Sequence, residues 1–121
     1  MLGSTRNLRV FIAPGPTDMR KGYNGLFALA RDVIGEDPMA GHLFLFVARN
    51  RKRAKVLLWD GTGLCIFMKR LERGTFIAPW ERPGDAALTM TPSELQLFIE
   101  GSAKVRVPLS PTPFSFQRIR K

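Results

Sequence analysis

The chain has 121 residues, about one domain, and its 45% apolar content is an ordinary globular value that excludes disorder over most of its length. A single cysteine, Cys65, excludes an internal disulfide; no apolar run approaches the roughly 20 residues of a membrane helix, and no apolar signal region opens the chain, so a cytoplasmic protein with no membrane partner is expected. Nineteen Lys and Arg against ten Asp and Glu leave a net charge of +9, which suits an anionic partner and says nothing about fold.

Residues 8–13 read as a first strand, stopped by Pro14-Gly15-Pro16, which cannot continue a ladder. A helix follows, capped by Thr17 or Asp18, or by Asn24 if it begins later. Its apolar residues Tyr23, Leu26, Phe27, Ala30, Val33 and Ile34 fall three and four apart, on one helical face, and Gly35 is the expected stop. Gly22 and Gly25 each cost about 1 kcal/mol in a helix interior, so an early start there requires that the backbone pack closely against something.

Residues 43–47 form a continuous apolar run, the pattern of a buried strand. Residues 55–59 and 64–68 make the next two strands, joined by a turn of Asp60, Gly61, Thr62 and Gly63. Residues 75–77 begin a short fourth before Pro79. Strands this short, joined by turns this short, arrange as an antiparallel meander. Thr91, Pro92 and Glu94 then announce a second helix by cap, first-turn proline and capping box. Met90 and Leu95 are placed for a hydrophobic staple, Leu95, Phe98 and Ile99 face the core, and Gly101 ends the helix. The expected fold is α+β: an antiparallel meander of four to five strands, with two helices packed on one face. Residues 1–103 make one domain, and residues 104–121 a Pro-rich basic tail.

The charge is uneven. Residues 49–73 hold Arg49, Arg51, Lys52, Arg53, Lys55, Lys69, Arg70 and Arg73 against Asp60 and Glu72. Alternate turns of a meander lie at one end of the sheet, so the turns after Val47 and after Met68 should meet, with the Asp60 turn at the far end. These eight cations are the candidate DNA-binding residues, a better footprint for a phosphate backbone than scattered lysines. The bland alternative is that each turn is merely solvated and blunts a sheet edge.

Chemistry is poorly represented. His42 is the only histidine, which precludes a Ser-His-Asp or paired-His site within one chain; it fits better as a cap at a strand start. Cys65 reads as a buried, inert thiol. There is no zinc-ligand spacing and no phosphate-binding glycine loop. A metal-dependent nuclease needs converging carboxylates, and the candidates Asp18, Asp32, Glu36, Asp37, Asp60 and Glu72 are dispersed. No catalytic residue, metal site or cofactor is expected. Trp59 reads as core, and Trp80, after Pro79, as the better candidate for a surface contact.

Four stretches carry a resemblance: Thr17-Asp-Met-Arg-Lys-Gly-Tyr-Asn-Gly-Leu26, Gly41-His-Leu-Phe-Leu-Phe46, Lys55-Val-Leu-Leu-Trp-Asp-Gly-Thr-Gly-Leu64 and Lys69-Arg-Leu-Glu-Arg-Gly-Thr-Phe76. In order and spacing they resemble the TnpB-type, second-reading-frame-like accessory protein of the insertion-sequence-sixty-six group, over roughly residues 8–100. This is not the RNA-guided nuclease that shares the TnpB label. The resemblance implies a non-enzymatic protein that assists transposition beside a transposase of the acidic-triad type, and it brings no catalytic residues. Contact with DNA through the basic end is the expectation from charge. An adaptor docking on the transposase without DNA contact is the first rival, and a small metal-dependent nuclease the second.

Overall fold

The computed structural model describes residues 7–81 and 88–101. Five strands form one sheet: β1 (Val10–Ile12), β2 (Leu43–Val47), β3 (Arg53–Trp59), β4 (Leu64–Arg70) and β5 (Thr89–Met90), in the order β4-β3-β2-β1-β5. Two helices, α1 (Tyr23–Leu29) and α2 (Pro92–Ile99), complete an α+β fold.

Alternation along the strands builds two cores rather than one. Val10, Ile12, Leu45, Val47, Ala54 and Val56 point to one face, where Phe76, Leu95 and Phe98 cover them. Phe11, Ala13, Phe44, Phe46 and Leu57 point to the other, under Leu26 and Ala30. β1 and the central strand β2 are thus buried on both sides, which is why 43–47 is apolar without a break. Full burial of a Phe or Leu side chain contributes roughly 1.5–3 kcal/mol, and Phe44, Phe46, Phe76, Leu26, Leu45 and Leu57 are all fully buried.

This corrects the expected layering. The helices lie on opposite faces of the sheet, α1 with the second core and α2 with the first. The sheet is also only mostly antiparallel. β2, β3 and β4 form the expected meander, but β1 runs parallel to β2. The segment between them contains α1, and a helical crossover is the usual way to join parallel neighbours. Residues 75–77 are not a strand: Phe76 is buried and its N–H donates to the Arg51 carbonyl at 2.7 Å, with no ladder formed. The fifth strand is instead the two residues of β5, antiparallel to β1, too short to show a period.

No side chain caps α1; it starts after Gly22, whose carbonyl accepts from Leu26 N–H at 2.9 Å. The expected caps Thr17, Asp18 and Asn24 do not serve. Gly25 stands at a close approach: a Cβ there would lie 3.1 Å from Lys21 Cβ. The helix continues as a π-turn over Ala30–Ile34 before Gly35 ends it at φ 85°. The wider turn advances the phase by one residue, and Val33 is rotated into solvent; Tyr23 is exposed as well. For α2 the local signals hold: Thr91 accepts from Glu94 N–H at 3.1 Å, Thr91 N–H donates to Glu94 Oε1 at 2.8 Å, and Gly101 stands at φ 80°. The expected boundary at residue 103 lies outside the described residues.

Candidate nucleic-acid interface

The β2–β3 turn is tight and internally bonded. Ala48 N–H donates to the Arg53 carbonyl at 3.0 Å, Arg51 N–H to the Ala48 carbonyl at 2.9 Å, and Lys52 N–H to Asn50 Oδ1 at 2.9 Å. Arg51 adopts φ 61°, a left-handed conformation that costs a non-glycine residue roughly 1–2 kcal/mol. The chain leaving β4 is stitched onto this turn. Leu71 N–H donates to the Lys52 carbonyl at 2.8 Å, and Lys52 Nζ to the Gly74 carbonyl at 3.4 Å. Both basic turns therefore lie at one end of the sheet, and Arg53 is directly opposite Arg70 across the ladder. The Asp60 turn closes the hairpin at the other end, where Asp60 Oδ1 accepts from the N–H groups of Thr62 and Gly63.

Six of the eight candidate cations gather at that end. Arg49, Lys52, Arg53, Arg70 and Arg73 are exposed and Arg51 is half-buried; Arg70 also meets Glu72 at 3.3 Å. The other two are turned inward to opposite faces. Lys55 Nζ donates to the carbonyls of Met19 and Lys21 at 2.9 and 2.8 Å, tying down the loop before α1. Lys69 Nζ donates to the Ile99 carbonyl at 2.9 Å, at the C-terminal end of α2, where a cation suits the helix dipole.

Fixing that loop creates a shallow groove of about 520 Å³ beside the basic turn. Thr17, Asp18, Met19 and Arg20 line one side, and Arg49, Asn50 and Arg53 the other. Thr17 N–H donates to the Val47 carbonyl at 2.9 Å, which fixes the loop at the end of β2. Arg20 is a cation that the charge count by segments passes over, because it lies far from the basic stretch in sequence. It is paired with Asp18, Nη2 to Oδ2 at 2.8 Å. The Arg20 side chain and backbone N–H both donate to the Asp18 carboxyl and hold it well below the usual carboxylate range.

The remaining candidates are placed apart. His42 Nδ1 accepts from Arg9 N–H at 3.1 Å and its ring meets Phe11 edge-on, a role at the start of β2. Cys65 is half-buried rather than buried; desolvation and the neighbouring Asp60 push its thiol upward in pKa, away from the reactive thiolate. Trp59 is half-buried at the end of β3. Trp80 is half-buried and packs against the first core. Asp60 and Glu72 flank the seven residues of β4, roughly 20 Å of strand, so they do not converge. Among the described residues no three His, Cys, Asp or Glu side chains group as a metal site, and no helix is long and apolar enough to cross a membrane.

A family model described as IS66 Orf2 like protein matches residues 8–107. The chain belongs to the IS66 Orf2-like family. It is similar to the uncharacterized protein y4jC of Sinorhizobium fredii, 40% identical over 111 residues, covering 92% of this chain and 93% of that one. The uncharacterized protein y4hO of the same organism is 40% identical over 101 residues, covering 84% of this chain and 86% of its own. No solved structure matches. Membership in the IS66 Orf2-like family implies an accessory role in insertion-sequence transposition, associated with the transposition machinery and not with a known enzyme activity.

Proposed function

We propose that this protein assists transposition by gripping the DNA phosphate backbone with the basic end of its sheet. The observation that carries the reading is the Arg53–Arg70 cross-strand pair, set among Arg49, Arg51, Lys52 and Arg73 and beside the groove that contains Arg20. Like charges placed opposite each other destabilise a sheet pair. A phosphate seated between them removes that repulsion, whereas solvation alone gives no reason to gather six cations at one end. The groove continues the same positive surface toward the loop before α1.

The test is a titration of the full chain against element-end DNA and unrelated DNA at several salt concentrations. Each phosphate neutralised on duplex DNA contributes about −0.9 to the slope of log affinity on log salt. With five exposed cations and the half-buried Arg51 at that end, the expected slope is about −3 to −5. Because phosphate contacts position without specifying, replacing Arg49, Arg53 and Arg73 together by Ala should weaken all sequences alike and flatten the slope. A flat salt response, with retention on immobilised transposase, would overturn this reading in favour of a protein–protein adaptor.

A further inference from the structure

We propose that β4 is the pairing edge for a second copy of this chain, joined antiparallel about Phe67 so that two five-stranded sheets become one.

Among the described residues β4 is the last strand in the sheet order, and its hydrogen-bonding parity can be read from both ends of the hairpin. Asp60 N–H donates to the Gly63 carbonyl and Leu71 N–H to the Lys52 carbonyl, both in the single register that pairs Arg53 with Arg70 and Trp59 with Leu64. In an antiparallel ladder, hydrogen-bonded and non-hydrogen-bonded pairs alternate. Cys65, Phe67 and Lys69 therefore bond inward to β3. The N–H and C=O groups of Leu64, Ile66, Met68 and Arg70 point away from the sheet. One antiparallel self-pairing uses all four: Leu64 with Arg70 of the second copy, and Ile66 with Met68. Its two-fold axis passes between the two Phe67 residues, a non-hydrogen-bonded pair in which side chains come closest.

The side chains agree with this register. Phe67 and Met68 are 53% and 55% exposed, so the edge is apolar on both faces. Pairing sets Phe67 against Phe67 on the α2 face and Met68 against Ile66 on the α1 face. Charge selects the direction. Antiparallel pairing places Lys69 against Cys65 and Arg70 against Leu64, and brings the Asp60 turn of one copy beside the Arg73 end of the other. Parallel pairing would set the two basic ends side by side. Of the usual guards of a free edge, β4 has no proline and no bulge and the Lys69 ammonium is drawn inward to Ile99; the exposed charge, Arg70, stands at the strand's last residue, clear of the Phe67 axis. The seam leaves the two basic ends at its opposite extremities, roughly 20 Å apart.

The full chain, without DNA, should sediment at twice its 13.6 kDa mass at micromolar concentration in high salt. Phe67→Lys places two like charges across the axis and should raise the dimer dissociation constant about tenfold or more, with an unchanged circular dichroism spectrum. In a Cys65→Ser background, Phe67→Cys should form a covalent dimer on oxidation, since Cα atoms about 4.5 Å apart can be bridged. A monomer at every concentration overturns the proposal and leaves the edge to another protein's strand or to residues 102–121. A dimer that survives Phe67→Lys and does not crosslink at position 67 overturns it too. No DNA enters these measurements, so their failure is separate from failure of the DNA-binding reading.

Discussion

Arg53 and Arg70 face each other across the β3–β4 ladder in a non-hydrogen-bonded pair, the closer of the two kinds. Glu72, 3.3 Å from Arg70, offsets part of the repulsion. Arg53→Glu should turn a like-charge pair into an attractive one and raise stability by about 0.2–1 kcal/mol. The same change should weaken DNA binding at all sequences. Urea unfolding and fluorescence anisotropy on one preparation give both numbers; a variant that is more stable and still binds as tightly would exclude this pair from the interface.

Arg51 is half-buried at φ 61°, and backbone strain held at a turn is common where a side chain has a task. Arg51→Gly relieves about 1 kcal/mol of that strain, and the expected gain in stability is of that order. Its cost should appear only in DNA binding, as a salt slope smaller in magnitude by up to about 0.9.

Lys55 should behave in the opposite way. Its ammonium holds the carbonyls of Met19 and Lys21, so Lys55→Met should destabilise the fold by about 1.5–3 kcal/mol, the range for charged hydrogen bonds. The salt slope should change by less than one phosphate's worth, because this cation does not face the partner. Chemical denaturation beside the DNA titration separates Lys55 from the arginines.

Asp18 restrains Arg20 at the groove. Asp18→Asn should free that guanidinium, tighten DNA binding and steepen the salt slope by up to about 0.9. The same residue predicts a pH dependence. The carboxyls of Asp18, Asp32 and Asp60 are all held below their ordinary range in the folded chain, Asp18 and Asp32 by Arg20 and Arg31, Asp60 by the N–H groups of Thr62 and Gly63. A folded pKa below the unfolded one adds stability above the unfolded value, about 4, and that stability is lost as pH falls further. Melting temperature should be level near neutrality and decline in acid, with a shallower decline in Asp18→Asn.

Local chemistry made much of this legible from sequence alone. The cap of α2 is a contact between residues three apart, Thr91 and Glu94, and the β3–β4 hairpin follows from two apolar runs around a four-residue turn. Their succession already implied that the basic turns share one end. What no local pattern could decide was how distant segments meet. The parallel β1–β2 pairing and the placing of α1 and α2 on opposite faces were not legible, because a strand buried on both sides has no apolar-to-polar alternation to indicate which helix covers which face. The fates of Lys55 and Lys69 were equally hidden: a lysine written among arginines is identical in sequence whether its ammonium meets solvent or the carbonyls of Met19 and Ile99. Strand parity turns those two side chains to opposite faces, and only the packing of α2 and the loop before α1 supplies the acceptors they reach.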